Sequence, residues 1–455
     1  MSHFKTINPA NEDILAKYQY YSTDHIRSAI NDCDLAWQDW KSQSFSARAS
    51  LLMNLSNLLL TKKEELAEEI TNEMGKPLSQ AIAEIEKCSW VCEFYATNGE
   101  AFLQPEMVES DASKSYVTFE PLGVVFAVMP WNFPYWQVIR FAAPALMAGN
   151  AALLKHSPNT SGCALTIEKL FLEAGFPKGL FKTVLVDIPQ IEEIVSNPRI
   201  AAVTLTGSTK AGKSLAALSG RYLKKIVLEL GGSDPYIILE DADLELAAEA
   251  CVTGRLINSG QSCIAAKRFI VAKPIANDFT DLIYQKLKEK KVGDPYAEET
   301  DIGPLAREDL RDQLHNQVKA SIQSGAKCLL GGDKFASKGF YYPPTLLTNV
   351  SKGMTAYSEE LFGPVASIIV VKDNEEAIQV ANDSIYGLGS AIFSRDIATA
   401  ELIASKINAG STFINSFVKS DPRLPFGGVK QSGYGRELSY IGIKEFVNIK
   451  TVYLK

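Results

Sequence analysis

Strand-like and helix-like segments alternate regularly from about residue 122 onward, and this alternation places the chain in the α/β class. The runs VVFAVM, AALLKH, KTVLV, AAVTLT and KKIVLEL have strand character, and VIRFAAPALMAG, CALTIEKLFLEAG and STKAGKSLAALSG have helical character. This pattern predicts a parallel sheet with helices on both faces. Because such sheets bind ligands at the carboxyl ends of their strands, we expect a site there.

A second alternating block over residues 235–417 predicts a second sheet. Its strand-like runs are YIILE, FIVA, KCLLGG, ASIIVV and SAIFS. Residues 24–101 are predicted to be helical, because apolar residues recur there at three- and four-residue spacing. SYVTFEPLGVVFAVMP contains two strands broken at 121–123, and the tail FVNIKTVYLK alternates like a strand. A chain of 455 residues is long enough for two or three domains.

Charge and cysteine usage exclude several classes of function. A net charge of −7 leaves no broad basic face for nucleic acid. The seven cysteines include no CxxC pair, and the closest pair, Cys88 and Cys92, has helical spacing, so we expect neither a disulfide framework nor a metal site. The polar N-terminus lacks the apolar core of a signal peptide, and the longest apolar run, 123–129, is too short to cross a bilayer. Free thiols favour a reducing compartment, so we expect a cytoplasmic protein.

Three residues are candidates for chemistry. Only four histidines are present, so a histidine-dependent triad is hard to assemble. Cys263 lies in the small polar loop NSGQSCIAAKRFIV, where backbone N–H groups can stabilise a thiolate, although free cysteines are more often buried and inert. Glu229 ends an apolar strand just before two glycines, so it should be exposed in a cleft or ion-paired. Asn132, in MPWNFPYW, is either an amide donor or a turn former.

One motif supports an alternative from a different class. GSTKAGKS at 207–214 matches the phosphate-binding pattern GxxxxGK[ST] and follows a strand-like run. IILED at 237–241 is similar to the apolar run ending in an acid that holds magnesium in P-loop nucleoside triphosphatases. Against this hypothesis, Asp241 follows Lys213 by only 28 residues (241 − 213), which leaves little room for the intervening helix and strand.

Six segments in a fixed order resemble the signature segments of the aldehyde dehydrogenase superfamily. They are PWNFP at 130–134, LTGST at 205–209, LELGG at 228–232, GQSC at 260–263, EELFGPV at 359–365 and PFGGVKQSGYGRE at 425–437. The resemblance covers nearly the whole chain, and six ordered matches are very specific. It implies an α/β fold with two Rossmann-like parallel-sheet domains and a small oligomerisation β element.

The resemblance also implies domain boundaries. Residues 1–112 and 122–230 would form a discontinuous dinucleotide-binding domain, and residues 231–424 the catalytic domain. Residues 113–121 and 425–455 would supply the oligomerisation strands and the C-terminal segment, which complete a sheet across subunits. A homodimer or homotetramer is expected.

Roles for individual residues follow from the same resemblance. Cys263 would be the nucleophile, Glu229 the general base, and Asn132 with the backbone N–H of Cys263 the oxyanion hole. The implied cofactor is NAD or NADP. Its implied contacts are Lys155 and Ser157 at the adenosine ribose region, Gly207 and Ser208 at the pyrophosphate, Glu360 at the nicotinamide ribose, and Trp131 and Leu230 along the cleft.

These roles imply oxidation through a covalent thioester. The thiolate attacks the aldehyde carbon, the thiohemiacetal gives up hydride, and Glu229 activates the water that releases the acid. A CoA-acylating relative typically lacks this base, and a non-catalytic descendant would not need to keep all three residues. Many members have KPSE where this chain has KHSP. Pro158 thus replaces a carboxylate that holds the ribose 2′-hydroxyl, so NADP can be accepted beside NAD.

Two arginines favour an acidic aldehyde as substrate. Arg140 matches a carboxylate-binding arginine of some succinate-semialdehyde dehydrogenases, and Arg423 precedes the PFGG segment at the outer end of the substrate tunnel. Guanidinium groups suit carboxylates, although either arginine can instead form a surface ion pair. The short chain and its C-terminal segment resemble the short bacterial NAD(P)-dependent succinate-semialdehyde dehydrogenases. Ile257 stands where other such enzymes have a second arginine, so glutarate semialdehyde and lactaldehyde remain alternative substrates.

Overall fold

The computed structural model of the protein describes residues 3–455. The strands are β1 (His3–Ile7), β2 (Ile14–Gln19), β3 (Glu106–Met107), β4 (Lys114–Pro121), β5 (Val124–Met129), β6 (Ala151–His156), β7 (Phe181–Thr183), β8 (Ile200–Thr206), β9 (Lys225–Glu229), β10 (Asp234–Ile238), β11 (Ala266–Ala272), β12 (Lys327–Leu330), β13 (Thr345–Thr348), β14 (Val365–Val371), β15 (Ala391–Phe393), β16 (Phe413–Ile414), β17 (Gly433–Tyr434) and β18 (Val447–Leu454). The α-helices are α1 (Thr23–Trp40), α2 (Phe45–Thr61), α3 (Lys63–Met74), α4 (Leu78–Phe102), α5 (Trp136–Met147), α6 (Ser161–Glu173), α7 (Ile191–Ser196), α8 (Thr209–Arg221), α9 (Leu244–Leu256), α10 (Ala276–Lys288), α11 (Glu308–Gln323), α12 (Thr355–Ser358), α13 (Asn374–Asn382), α14 (Ile397–Ala404) and α15 (Ser439–Gly442).

The first alternating block forms a six-stranded sheet in the order β17-β9-β8-β5-β6-β7. The strands from β9 to β7 are parallel, and β17 pairs antiparallel with β9 at one edge. Helices α1 and α5 contact β5 and β6, and α8 contacts β8 and β9. All residues of β6 and all but one of β5 are buried. The helices that cover these strands explain why their sequences are continuous apolar runs.

The second block forms a seven-stranded sheet in the order β12-β13-β14-β11-β10-β15-β16. All its pairings are parallel except the antiparallel pair β12–β13 at one edge. Alternate residues of β10 face opposite sides of this sheet. Tyr236 and Ile238 pack in the core that includes Phe279 of α10, whereas Ile237 packs in the core that includes Ala377 of α13. The sheet is therefore covered by helices on both faces.

A small antiparallel sheet in the order β18-β4-β3 joins the chain's C-terminal end to the segment before β5. Strand β18 pairs with β4 over its whole length, from Val447 opposite Pro121 to Leu454 opposite Lys114. The predicted C-terminal strand thus has a partner within its own chain. No other strand of the described residues pairs with the free edge of β18. A sheet that is completed across subunits therefore stays a prediction.

The predicted fold class is confirmed, and the differences concern short elements. The hairpin β1–β2 was not predicted, because its sequences HFKTI and ILAKYQ are largely exposed and carry little apolar alternation. Strand β13 was also missed, since four residues give too short a pattern to distinguish from a loop. Among residues 3–455, no helix is both long enough and apolar enough to span a membrane.

Candidate active site

Cys263 lies where two cavities meet. A cavity of about 450 Å³, here called the cleft, opens at the carboxyl ends of the six-stranded sheet. A second cavity of about 280 Å³, here called the inner cavity, lies between helices α4 and α5 and the segments 257–264 and 418–426. Among the described residues, only Cys263 and Gln137 line both. A half-buried thiol in this position can contact two different ligands at the same time.

The cleft has the features of a dinucleotide site. It lies at β5 and β8, the central pair at which the strand order reverses, and ligands bind at such reversals. Gly207, Ser208 and Thr209 line one end, where β8 leads into α8. The Ser208 hydroxyl caps this helix by accepting a hydrogen bond from the N–H of Ala211 (3.2 Å). The N-terminus of a helix attracts anionic groups such as a pyrophosphate.

An acidic side chain is fixed on the opposite wall of the cleft. Glu360 Oε1 accepts a hydrogen bond from the N–H of Gly232 (3.1 Å) and lies 3.2 Å from Lys267 Nζ. The carboxylate packs so closely on Gly231 that any side chain there would overlap its Oε2 atom. Trp131 and Leu230 also line the cleft. The wall therefore combines a placed carboxylate with apolar surface, which suits a ribose beside an aromatic base.

The loop that presents Cys263 is held in a strained conformation. Asn258, Ser259 and Gly260 have positive φ angles of 56°, 54° and 77° in succession. Two consecutive non-glycine residues in this region are costly, at about 1–3 kcal/mol each, and persist only where the surroundings fix them. A Cβ at Gly260 would overlap the carbonyl group of Gly363, so only glycine fits there.

The amide of Asn132 stabilises this loop and reaches the cleft. Its Nδ2 donates to the backbone oxygen of Gln261 (3.0 Å), and Asn258 Nδ2 donates to the backbone oxygen of Asn132 (2.6 Å). An amide nitrogen has two N–H groups, so one remains for a ligand oxygen. Because Asn132 and Cys263 both line the cleft, that donor is available near the thiol.

The carboxylate of Glu229 is buried behind the cavities. The residue is only 3% exposed, lines neither cavity, and faces Gly427, where a Cβ would lie 2.7 Å from Oε1. Neither of its oxygens has a hydrogen-bond partner among residues 3–455. Burial raises its pKa well above the usual range, the nearby Glu437 adds to this, and Arg140 opposes it. The sequence predicted an exposed or ion-paired carboxylate, and this side chain is neither.

Arg140 borders the inner cavity with its charge already balanced. It lies on α5, all of whose residues are buried, and it forms an ion pair with Glu437. The two side chains are 2% and 4% exposed. Its Nη2 donates to the Thr206 hydroxyl (3.4 Å), and its guanidinium carbon lies 4.7 Å from the centre of the Phe426 ring. A buried arginine needs such a partner, because an unpaired charge in a dry interior is very unfavourable.

Three other predicted residues lie outside the two cavities. Arg423 is 67% exposed and makes a two-pronged contact with Asp421, at 2.9 and 2.7 Å. Lys155 Nζ donates to the backbone oxygen of His156 (3.2 Å). The Ser157 hydroxyl donates to Asn159 Oδ1 (2.7 Å). Lys155 lies near the carboxyl end of β6 and Ser157 follows that strand, which pairs with β5, and neither residue lines the cleft.

The P-loop hypothesis is wrong. The segment 207–214 adjoins the six-stranded sheet, whereas Asp241 follows β10 in the seven-stranded sheet. Asp241 accepts hydrogen bonds from the Ser394 hydroxyl (2.9 Å) and the N–H of Asp396 (2.8 Å), and so caps a turn. Lys213 donates to the side chain of Gln431 (3.0 Å) and does not line the cleft. The presumed lysine and acid therefore cannot share a phosphate.

The surroundings of the candidate nucleophile favour the thiol over the thiolate. Burial raises the pKa of Cys263 to about 12, while the positive charges of Lys267 and Arg140 oppose the increase. Lys267 is 1% exposed, and its ammonium group donates to the backbone oxygens of Ser262 (2.9 Å) and Cys263 (2.7 Å). A thiolate here depends on a base or on these cations.

Three residues of the site were missed by the sequence analysis. Lys267 could have been found, because two adjacent cations, Lys267 and Arg268, begin a strand that is otherwise apolar. Glu437 lies inside the PFGGVKQSGYGRE segment but has no neighbour in sequence that suggests its pairing with Arg140. Lys87 lines the inner cavity from the middle of α4, and nothing in its sequence surroundings distinguishes it from a surface lysine.

The protein has two sheets that are covered by helices. Its cleft lies at the N-terminus of α8 and is lined by Cys263. This arrangement is that of an α/β protein of the nucleotide-binding class. The chain belongs to the aldehyde dehydrogenase family, whose model matches residues 1–452. It is 47% identical over 452 residues to a succinate semialdehyde dehydrogenase [NAD(P)+] of Escherichia coli strain K12, covering 99% of this chain and 98% of that one. A probable succinate-semialdehyde dehydrogenase [NADP(+)] of Synechocystis is 47% identical over 449 residues, covering 99% of both chains. The crystal structure of succinic semialdehyde dehydrogenase from Streptococcus pyogenes with NADP+ superposes with a TM-score of 0.97 at 36% identity and covers 99% of both chains.

Proposed function

We propose that the protein oxidises succinate semialdehyde to succinate with NAD or NADP as the hydride acceptor. The observation that carries this proposal is the position of Cys263 at the junction of the cleft and the inner cavity. A substrate carbon bonded to Sγ would face the cleft on one side, and the rest of the substrate would occupy the inner cavity. At about 280 Å³ this cavity is near the lower end of the range for small-molecule sites, which favours a short aldehyde.

The cleft suits a dinucleotide in three respects. It has a helix N-terminus for the pyrophosphate, a fixed carboxylate for a ribose and apolar walls for the nicotinamide. The residues of the cleft that would hold it are Gly207, Ser208, Glu360, Trp131 and Leu230. Lys155 and Ser157, at the end of the neighbouring strand β6, would bind the part of the dinucleotide that extends beyond the cleft. The bound nicotinamide would accept hydride from the substrate carbon. Pro158 offers no carboxylate against a 2′-phosphate, which supports acceptance of both NAD and NADP.

Acylation would use Cys263 and Asn132. The Cys263 thiolate attacks the aldehyde carbon and forms a thiohemiacetal, which becomes a thioester when hydride leaves. Negative charge grows on the carbonyl oxygen during attack. The free N–H of Asn132 and the backbone N–H of Cys263 would stabilise that charge, because both groups are held by a loop that does not need to rearrange.

Deacylation would use Glu229. In its buried position the carboxylate faces Gly427, so it must rotate toward Cys263 to activate a water molecule. In the buried position desolvation and Glu437 raise its pKa and favour the protonated form, so rotation away from this position would favour the ionised base. The Glu229 side chain would stay in its buried position during acylation and rotate toward Cys263 for hydrolysis, so the two steps would not overlap.

We also propose that the chain assembles as a homodimer or homotetramer in the cytoplasm. The domains would be those predicted: 1–112 with 122–230 for the dinucleotide, 231–424 for catalysis, and 113–121 with 425–455 for assembly. Strand β18 lies at the edge of its sheet and exposes Ile449 (62%) and Tyr453 (50%), which favours pairing with another subunit. Light scattering on the purified protein would measure its mass, and a monomer would contradict the proposal.

A kinetic panel tests the proposed activity. Succinate semialdehyde, glutarate semialdehyde, lactaldehyde and butanal are each supplied with NAD and with NADP, and absorbance of the reduced nicotinamide is followed. We expect kcat/KM for succinate semialdehyde to exceed that for butanal by at least about tenfold, equivalent to about 1.4 kcal/mol. Equal values for the two would exclude an acidic substrate. Full velocity in Cys263→Ser would exclude the thioester route.

A further inference from the structure

A buried histidine connects the loop that carries Asn132 to the loop that carries Ser157. His156 is the last residue of β6, which runs parallel to β5, and it is 6% exposed. On one side, its Nε2 lies 3.0 Å from the backbone oxygen of Pro134, two residues after Asn132. On the other side, its Nδ1 accepts a hydrogen bond from the N–H of Ser157 (2.8 Å). One imidazole ring therefore bridges the loops that follow two neighbouring strands.

The partners of the ring determine which nitrogen carries the proton. The Pro134 oxygen can only accept, so Nε2 is the donor, and the Ser157 N–H can only donate, so Nδ1 is the acceptor. The Thr160 hydroxyl lies 2.8 Å from the same Nδ1. Burial lowers the pKa of His156 to about 4, while the hydrogen bond to Pro134 opposes this and the charge of Lys155 adds to it. The ring is therefore neutral at physiological pH, with one donor and one acceptor that face different loops.

The donor side holds the turn that presents Asn132. The backbone oxygens of Phe133 and Tyr135 accept hydrogen bonds from N–H groups of α5 (3.0 and 2.9 Å), whereas the Pro134 oxygen between them faces the imidazole. At the other end of the turn, the Asn132 amide donates to the backbone oxygen of Gln261 (3.0 Å). Without the Nε2–H donor a buried carbonyl loses its partner, and a small shift of the turn would move the amide away from the oxyanion.

The acceptor side orders the segment proposed to bind the dinucleotide beyond the cleft. Nδ1 fixes the N–H of Ser157, and the hydroxyl of Thr160 turns back to the same atom. The Ser157 hydroxyl in turn donates to Asn159 Oδ1 (2.7 Å). Because both contacts to Nδ1 come from residues 157–160, loss of the acceptor would loosen this segment and leave the Asn132 turn in place.

We propose that His156 is a positioning residue with two separable tasks, in which Nε2–H places Asn132 for acylation and Nδ1 places Ser157 for dinucleotide binding. This assignment rests on the proposed function, since it takes Asn132 as an oxyanion donor and Ser157 as a dinucleotide contact. The ring itself would touch neither ligand, because it lines neither cavity. Each task uses one nitrogen, so substitutions that replace one nitrogen at a time should separate the two effects.

The test compares His156→Gln with His156→Asn. A glutamine amide reaches the position of Nε2 and can still donate to Pro134, whereas an asparagine oxygen lies near the position of Nδ1 and can still accept from Ser157. In His156→Gln we expect the dissociation constant of the reduced dinucleotide to rise about tenfold, with the burst rate within about threefold of wild type. In His156→Asn we expect an unchanged dissociation constant and a burst of reduced nicotinamide that is about 10- to 100-fold slower.

Fluorescence titration without aldehyde measures the dissociation constant, and rapid mixing with saturating cofactor and succinate semialdehyde measures the burst. His25→Gln is the matched control and should change neither quantity, because His25 lies exposed on α1 and stacks on Tyr21. A double variant supplies a further readout. In an Asn132→Ala background, His156→Asn should slow the burst by less than about threefold, because the amide that it positions is already absent.

Failure of this assignment differs from failure of the proposed function. If the wild-type protein binds no dinucleotide and forms no reduced nicotinamide with any aldehyde, the proposed function fails and the assignment fails with it. If the wild type is active and the two His156 variants change both quantities equally, or change neither, the two tasks are overturned. An undiminished effect of His156→Asn in the Asn132→Ala background would overturn the task at Asn132.

A further variant keeps the proposal testable if either His156 variant does not fold. Thr160→Val removes one contact to Nδ1 and leaves the ring in place. The dissociation constant should then rise about threefold while the burst rate stays at the wild-type value. An unchanged dissociation constant, or a slower burst, would overturn the task at Ser157.

Discussion

The ammonium group of Lys267 lies 2.7 Å from the backbone oxygen of Cys263, within the same turn that presents the thiol. The same atom is 3.2 Å from the Glu360 carboxylate on the wall of the cleft. One buried cation thus connects the candidate nucleophile to the carboxylate proposed to hold the cofactor ribose. Because the interior is dry, this charge acts on the thiol more strongly than a surface lysine could.

Replacement of Lys267 by methionine should slow the reactions of the thiol. The cation favours the thiolate, so its loss raises the pKa of Cys263 further and leaves less thiolate at every pH. We expect the rate of Cys263 alkylation by iodoacetamide at pH 8 to fall about 10- to 100-fold, as for loss of a charge-assisted hydrogen bond. Peptide mapping by mass spectrometry measures this rate directly. Lys286→Met, on the surface of α10, is the control and should leave it unchanged. An unchanged rate in Lys267→Met would mean that the lysine only supports the backbone.

In the wild-type protein without cofactor, the rate of Cys263 alkylation should keep rising up to an unusually high pH. Burial raises the pKa of Cys263 to about 12, and only the thiolate reacts. The rate should therefore still rise about tenfold per pH unit between pH 8 and pH 10, where a free cysteine with a pKa of about 8.5 levels off. Cys328 is also half buried, so the two modified peptides must be quantified separately. A plateau near pH 8.5 for the Cys263 peptide would contradict the burial argument.

The sequence was sufficient for the fold and for the position of the thiol, because both depend on local patterns. Alternating apolar runs predicted the two sheets. The small, glycine-containing loop around Cys263 predicted a thiol that is accessible just before a strand. Side-chain pairings were not predictable in the same way. Arg140 and Glu437 are almost 300 residues apart (437 − 140 = 297), and only the tertiary fold brings them together.

The same limit applies to the two arginines that were predicted to bind the substrate carboxylate. Arg140 and Arg423 have the chemistry expected of a carboxylate clamp, yet in the folded chain each already has an acidic partner. Whether an acid is within 4 Å of a given cation depends on tertiary contacts.

Replacement of Glu229 by glutamine should separate the two halves of the reaction. Acylation does not require this carboxylate, so one equivalent of reduced nicotinamide should still form rapidly. Hydrolysis of the thioester loses its base, and the steady-state rate should fall about 10²- to 10⁴-fold. Rapid-mixing absorbance measures both phases, and mass spectrometry of the quenched enzyme should detect acylated Cys263. If burst and steady state decline together, Glu229 does not act chiefly in deacylation.

The ion pair of Arg140 and Glu437 can be tested by removing one partner and then both. Arg140→Leu alone leaves Glu437, which is 4% exposed, as an unpaired buried carboxylate beside Glu229. Loss of one partner of a buried pair is typically destabilising by about 3–5 kcal/mol, whereas replacement of both by apolar residues is often close to neutral. Urea denaturation should therefore show a large loss of stability in the single variant and recovery of most of it in Arg140→Leu/Glu437→Leu.

The double variant also tests whether Arg140 binds the carboxylate of the substrate. Because its buried charges are removed together, any change in substrate preference reports on recognition and not on unfolding. We expect the ratio of kcat/KM for succinate semialdehyde to that for butanal to stay within about threefold of wild type, because Glu437 already balances the charge of Arg140 in the folded chain. A stable double variant whose ratio falls tenfold or more would show that Arg140 contributes to recognition of the substrate carboxylate. In that case the guanidinium donors that Glu437 and Thr206 leave free would be the ones that bind the substrate.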